Sequence, residues 1–245
     1  MAQKILPDEN KVQRHGFRGR FTHWTVALST LALIVSGFGQ MPMYKRYYIA
    51  DLPGLGWTAD YSTTLIVHYL AAMVLLFAVT FHLVFHVIRK DYDLIPKRGD
   101  FRTSYLIIKA MVTEQEAPPS GKYLAEQRLA YAFLAFSFLI VGLTGLLKVL
   151  KNLPSVNFSA QAMVWISDLH TLSAFLLVFG IVAHLAAFLF RENRPLLPAM
   201  FTGKVNLNYV KHRHRLWYAR LSGKGSAVSL QEAPAQVPEE NIRVS

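Results

Sequence analysis

The fold class this sequence predicts is a membrane-embedded bundle of four transmembrane α-helices with both termini on the cytoplasmic side. Three observations predict it. Four stretches contain no Asp, Glu, Lys or Arg: Phe21 to Met41, Tyr61 to Ile88, Leu129 to Leu147 and Leu169 to Phe190. Of the 245 residues, 53% are hydrophobic and only 17% charged, against roughly 25% charged in an ordinary soluble domain. The charge is also lopsided: 22 of the 26 Lys and Arg residues lie before the first stretch, between the second and third, or after the fourth.

A helix needs about 20 apolar residues to cross ~30 Å of hydrocarbon. Backbone polar groups inside lipid need internal partners, so each stretch should be helical. The first exceeds a signal-peptide apolar core, and Gln40-Met41-Pro42-Met43 is not a small-residue cleavage site, so it reads as a retained helix. The second is long enough to require tilt or an overhang beyond the membrane. These limits divide the chain into an N-terminal segment 1–20, a four-helix domain 21–191 and a basic tail 192–245. Within the domain, the central connection 91–126 contains Pro96, Pro118 and Pro119 and is too polar to cross. Its piece Tyr105 to Val112 is amphipathic and is expected on the membrane surface. Beyond about Leu221 the tail is rich in Ser, Ala, Pro and Glu, a composition expected to be disordered. No internal repeat is evident beyond the histidine spacing described next.

The formal charge of +11 would suit nucleic acid, but its distribution follows the rule that cytoplasmic connections carry the Lys and Arg excess. Both termini and the central connection are therefore expected in the cytoplasm, and the two short connections outside. This is the topology of a multi-pass bacterial inner-membrane protein. Trp24, Trp57 and Trp165 fall near helix ends, where amphipathic rings favour the interface. There is no cysteine, so thiolate-held iron–sulfur clusters, disulfides and covalently attached haem are excluded from this chain.

His68, His82, His86, His170 and His184 lie inside the apolar stretches, and His23 stands at the start of the first. An ionisable group at membrane depth is a functional-site hypothesis by default, although such a histidine can also serve as an interhelical hydrogen-bonding residue. Imidazoles without carboxylates or thiolates in the same stretches suit an iron porphyrin better than zinc or calcium. His170 and His184 are 14 residues apart. That spacing returns close to the same helix face after a rise of about 21 Å. His68 and His82 repeat it. The spacing predicts two haems b, one near each membrane surface. The outer layer offers only His68 and His170. In the inner layer His184 could pair with His23 or with His82, and the residues leave that choice open. Gly142, Gly145 and Gly180 are candidates either for porphyrin against helix backbone or for helix packing.

These residues resemble the cytochrome b (gamma) subunit of membrane-bound respiratory formate dehydrogenases. The resemblance runs through Gly19-Arg20-Phe21-Thr22-His23-Trp24-Thr25-Val26 and Gly121-Lys122-Tyr123 with Gln127. It continues at His170 and His184 and ends in the segment from Lys204 to Tyr218. It implies that His68 and His170 hold the outer haem, and that His23 and His184 hold the inner one. It further implies that menaquinone (or ubiquinone) is reduced beside the inner haem, near Tyr123, Leu124 and Gln127. The family has Asn where this chain has Leu124. The partners implied are an iron–sulfur subunit and a molybdenum or tungsten catalytic subunit that oxidises formate. The same fold also serves other complexes, such as thiosulfate reductase or hydrogenase, or a stand-alone dihaem cytochrome.

Overall fold

The computed structural model describes residues 4–41, 44 and 46–223. Four long helices dominate it: α1 (Phe17–Gly39), α2 (Tyr61–Arg89), α4 (Ala125–Leu150) and α5 (Ala160–Ala186). Each is long and apolar enough to cross a membrane, α5 with a 3₁₀ extension to Leu189. α3 (Asp100–Val112) occupies the central connection, and α6 (Ala199–Thr202), α7 (Leu207–Arg213) and α8 (Arg215–Leu221) follow α5. The helices extend beyond the four charge-free stretches at their ends. Helix formation does not stop where charge begins, so α1 takes in Arg18 and Arg20, and α4 takes in Glu126 and Arg128. α5 starts at Ala160 rather than Leu169 and includes Asp168. The expectation that no carboxylate stands in these helices is thereby corrected, although Asp168 is exposed and lies two residues, about 200° of helix, from His170.

The caps are local. Asp60 accepts from Thr63 N at 2.7 Å and starts α2. Ser159 accepts from Ala162 N at 3.2 Å and starts α5. Such caps satisfy N–H groups that a helix start leaves without partners. α2 ends in a left-handed Lys90 (φ 50°), whose N–H reaches the carbonyls of His86 and Val87.

α1 packs along α2, and α4 along α5, as two hairpins. Small hydroxyl residues let these backbones approach. Ser29, Ser36, Ser137, Thr144 and Ser173 are buried, and each returns its hydroxyl hydrogen to its own helix, at 2.7 to 2.9 Å from the carbonyl four residues back. Such side chains pack in lipid without exposing a free polar group.

The hairpins are two copies of one unit, which corrects the expectation of no repeat. Along α2 and α5, His68, Leu70, Ala72, Leu75, Phe77, His82 and Leu83 recur as His170, Leu172, Ala174, Leu177, Phe179, His184 and Leu185, all offset by 102. Along α1 and α4, Ala27, Ser29, Leu31 and Gly37 recur as Ala135, Ser137, Leu139 and Gly145, offset by 108. The connection within the first hairpin is six residues longer, so no single period runs through the sequence.

The polar segments assemble at one end of the bundle. Strands β1 (Lys4–Leu6), β2 (Lys11–Gln13) and β3 (Lys204–Asn206) form one antiparallel sheet, with Val12 opposite Val205. Val12, Ala199, Val205, Val210 and Trp217 make its core. The tail also ties to the central connection: His214 Nδ1 lies 2.6 Å from Gly121 O, and Leu216 N donates to Ser120 O at 3.2 Å. α3 buries Asp100, Ser104, Ile107 and Ala110. That face meets the start of α4, where Asp100 forms a bidentate pair with Arg128 at 2.5 and 2.7 Å. The expected disorder beyond about Leu221 falls mostly on residues 224–245, outside the described residues.

Candidate haem site

Two histidine pairs cross between the hairpins. His68 on α2 faces His170 on α5, with ring centres 6.4 Å apart. His23 on α1 faces His184 on α5, also at 6.4 Å. Two metal–imidazole bonds of ~2 Å, with about 1 Å from each ligating nitrogen to its ring centre, put two axial imidazoles ~6 Å apart. The separation matches that of two imidazoles sharing one metal ion. Among the described residues no cluster of three or more His, Asp or Glu could hold a bare ion. Ligand pairs without a third or fourth protein donor suit a metal whose remaining positions come from a macrocycle, as in haem.

The first pair is prepared for that role by its neighbours. Ser36 Oγ lies 3.0 Å from His68 Nδ1, and Thr144 Oγ1 lies 3.0 Å from His170 Nδ1. Each hydroxyl has one hydrogen and gives it to a carbonyl, Ala32 O or Ile140 O, both at 2.7 Å. A carbonyl can only accept, so each hydroxyl must accept from the imidazole. Both rings therefore carry hydrogen on Nδ1 and keep the Nε2 lone pair free, the tautomer a metal ligand needs. Glycines complete the cradle. A Cβ on Gly37 would lie 3.3 Å from His68 Cε1, and one on Gly145 would lie 3.2 Å from His170 Cε1. Gly180 and Gly142 serve packing instead. Their Cβ positions meet Leu134 and Phe133 of α4, and Leu76 of α2, respectively.

At the other end His23 Nδ1 is buried without a hydrogen-bond partner. Trp24 holds this part of α1 to α6, its indole N–H donating to Met200 O at 3.0 Å. The Arg20 guanidinium donates to the neighbouring Phe201 carbonyl. His82 is not beside His184. Its Nε2 lies 3.1 Å from the Tyr131 hydroxyl, and its ring centre is 4.4 Å from that of His86.

The residues expected near a quinone divide. Leu124 is buried with Ile107 and Ala125 where α3 meets α4. Gln127 turns back to accept from Leu124 N at 3.2 Å. Tyr123 remains available, bordering a cleft of about 370 Å³ with Lys97, Ser120, Arg128 and Arg220. Its ring carries two cations, Arg14 at 5.3 Å and Lys122 at 5.0 Å. Burial pushes Lys122 down to about 8, with Arg14 adding to the effect. Burial likewise pushes the Tyr123 phenol up to about 12.

Ser36, Gly37, Thr144 and Tyr131 were not among the residues picked out from the sequence. Their signal was the offset of 108 shared by Ser36 and Thr144, Gly37 and Gly145, and His23 and Tyr131.

Four apolar spans, with imidazoles paired between two hairpins at metal-bridging separation, define a membrane-embedded haem protein. The profile of the prokaryotic cytochrome b561 family matches residues 14–203, and the chain belongs to that family. It is thus a multi-pass membrane cytochrome with b-type haem and a redox role. It is also 21% identical, over 224 residues, to the formate dehydrogenase cytochrome b556 subunit of Haemophilus influenzae. That alignment covers 89% of this chain and 87% of the relative.

Proposed function

We propose that this protein is the dihaem membrane subunit of a formate dehydrogenase complex, passing electrons from an outer iron–sulfur partner to a membrane quinone on the cytoplasmic side. The observation that carries the reading is the presence of two histidine pairs with the same 6.4 Å separation, set ~21 Å apart along α5. The name of the Haemophilus influenzae relative supports the choice of formate dehydrogenase.

His68 and His170 would hold the outer haem, and His23 and His184 the inner one. Haem b supplies one-electron chemistry when bound. The chain's own contribution is positional. Ser36 and Thr144 set the tautomers of the outer pair. Trp24 and Arg20 anchor the His23 end of α1 to the segment after α5. His23 is favoured over His82 because His82 Nε2 is already engaged by Tyr131. Placing the basic end of the bundle in the cytoplasm follows the Lys and Arg excess. There Tyr123, with Arg14 and Lys122 on its ring, borders a cleft among the polar segments and would bind the reducible head group.

A pyridine haemochrome assay on the purified chain should give close to two haems b per polypeptide. Purification from the native membrane should bring an iron–sulfur subunit and a formate-oxidising subunit, and formate should reduce the haems. One haem per chain would defeat the dihaem reading. A different co-purifying dehydrogenase would defeat the formate assignment.

A further inference from the structure

The duplication relates the inner histidine pair to a second pair of side chains. His184 corresponds to His82 by the offset of 102, and His23 corresponds to Tyr131 by the offset of 108. The fold therefore builds this position twice, and only one copy keeps two imidazoles. In the other copy the His82 Nε2 and Tyr131 Oη atoms are 3.1 Å apart. Two in-line metal bonds of ~2 Å each need ~4 Å, so this copy is closed by a hydrogen bond rather than set to hold iron.

The pair does not end there. The His86 ring lies 4.4 Å from that of His82, one helical turn further on. His86 Nδ1 is 3.0 Å from the Asp91 carbonyl and 4.0 Å from its carboxylate. The Asp91 side chain is 45% exposed. These groups form a file from water to Tyr131 on α4. Other charged groups face it from each neighbouring element. Arg18 of α1 and Arg89 of α2 stack on Phe85, at 5.7 and 5.2 Å, beside His86. From the central connection, Lys122 and Tyr123 lie within electrostatic reach of Asp91, and Tyr123 also of Tyr131.

We propose that Tyr131, His82 and His86 deliver protons to the quinone, with the Tyr131 hydroxyl meeting the head group that Tyr123 binds. This rests on the quinone reading above. Reduction to the quinol consumes two electrons and two protons. The electrons are those the protein carries through its histidine-held cofactors. For each proton, the Tyr131 O–H bond breaks as an O–H bond forms on the quinone oxygen. The His82 N–H bond then breaks to restore the phenol. His86 reprotonates His82, and water at Asp91 reprotonates His86, so every side chain ends as it began. Imidazole suits this task because one ring nitrogen can take up a proton as the other releases one.

The test follows haem reoxidation by stopped flow in the full-length protein loaded with haem and pre-reduced. The oxidants are menadione, which needs protons, and ferricyanide, which does not. Tyr131→Phe and His82→Gln should keep both haems and their spectra. They should react with ferricyanide at the wild-type rate and with menadione about 100-fold more slowly, within the 10²–10⁴-fold range of acid–base assistance. Wild-type rates with menadione in both variants would overturn the proposal. So would equal slowing with both oxidants, which marks structural damage, or loss of a haem from His82→Gln. A wild-type protein whose haems ignore menadione would instead remove the quinone reading, and this inference with it.

Discussion

Ser36 and Thr144 each bind a backbone carbonyl and an imidazole at once, and that double engagement fixes which histidine nitrogen is left for a metal. Ser36→Ala should remove one of the two acceptors beside His68 Nδ1–H, leaving the Leu33 carbonyl, and weaken outer-haem retention by ~10–100-fold. Titrating the apoprotein with haemin would measure this. Gly37→Ala and Gly145→Ala press a methyl to 3.3 and 3.2 Å from an imidazole carbon, so a ring must yield by a few tenths of an ångström. The expected result is a shifted or lost outer-haem spectrum. Gly19→Ala, which meets nothing within 4 Å, should leave the spectrum unchanged. Equal behaviour of all three variants would show that the cradle does not constrain the ligands.

The short elements at the basic end hold the long ones in register through two buried polar contacts whose pH responses fall in different ranges. Burial, reinforced by Arg14, pushes His214 down to about 3. The folded ring is then neutral and donates from Nδ1 to Gly121 O, whereas an unfolded histidine takes a proton near 6.5. Between those values the unfolded state binds more protons, so acidification from about pH 6.5 toward 3 should progressively loosen α8 from the central connection. His214→Gln should flatten that dependence, read as amide hydrogen exchange at Gly121 and Leu216 at pH 7.5 and 5. The Arg128 guanidinium holds the Asp100 carboxyl below its ordinary range. Its contribution is therefore present above about pH 4 and lost as pH falls through the lowered folded value. Asp100→Ala should destabilise the α3–α4 junction by about 3 kcal/mol, because it leaves a mostly buried guanidinium with the Tyr123 carbonyl but no counter-charge. A thermal shift of the detergent-solubilised protein would register this.

At the scale of the whole molecule, the β1–β2–β3 sheet joins residues on either side of the four spans, and the tail binds the central connection. All three polar segments must then lie on one side of the membrane. A chain without cysteine allows a clean check. Asp8→Cys and Glu114→Cys should react with an impermeant maleimide only from the cytoplasmic side, and Gly54→Cys and Leu153→Cys only from the outside. Labelling of Asp8→Cys and Glu114→Cys from opposite sides would contradict the fold. Reaction of both from the outside would keep the fold and invert the orientation.

The amino-acid sequence by itself determined the four spans, because crossing hydrocarbon demands long uncharged helices and leaves an unmistakable composition. It also marked the histidines, since imidazoles are costly at that depth. Their division into layers was legible from helical rise alone. The identity of His184's neighbour was not, because spacing along one helix carries no information about which other helix comes near. Only the packing of α1 against α5 and of α2 against α4 placed His23 beside His184 and His82 beside Tyr131. The duplicated hairpin was written in the sequence throughout, but a six-residue difference in the connections split its offset into two.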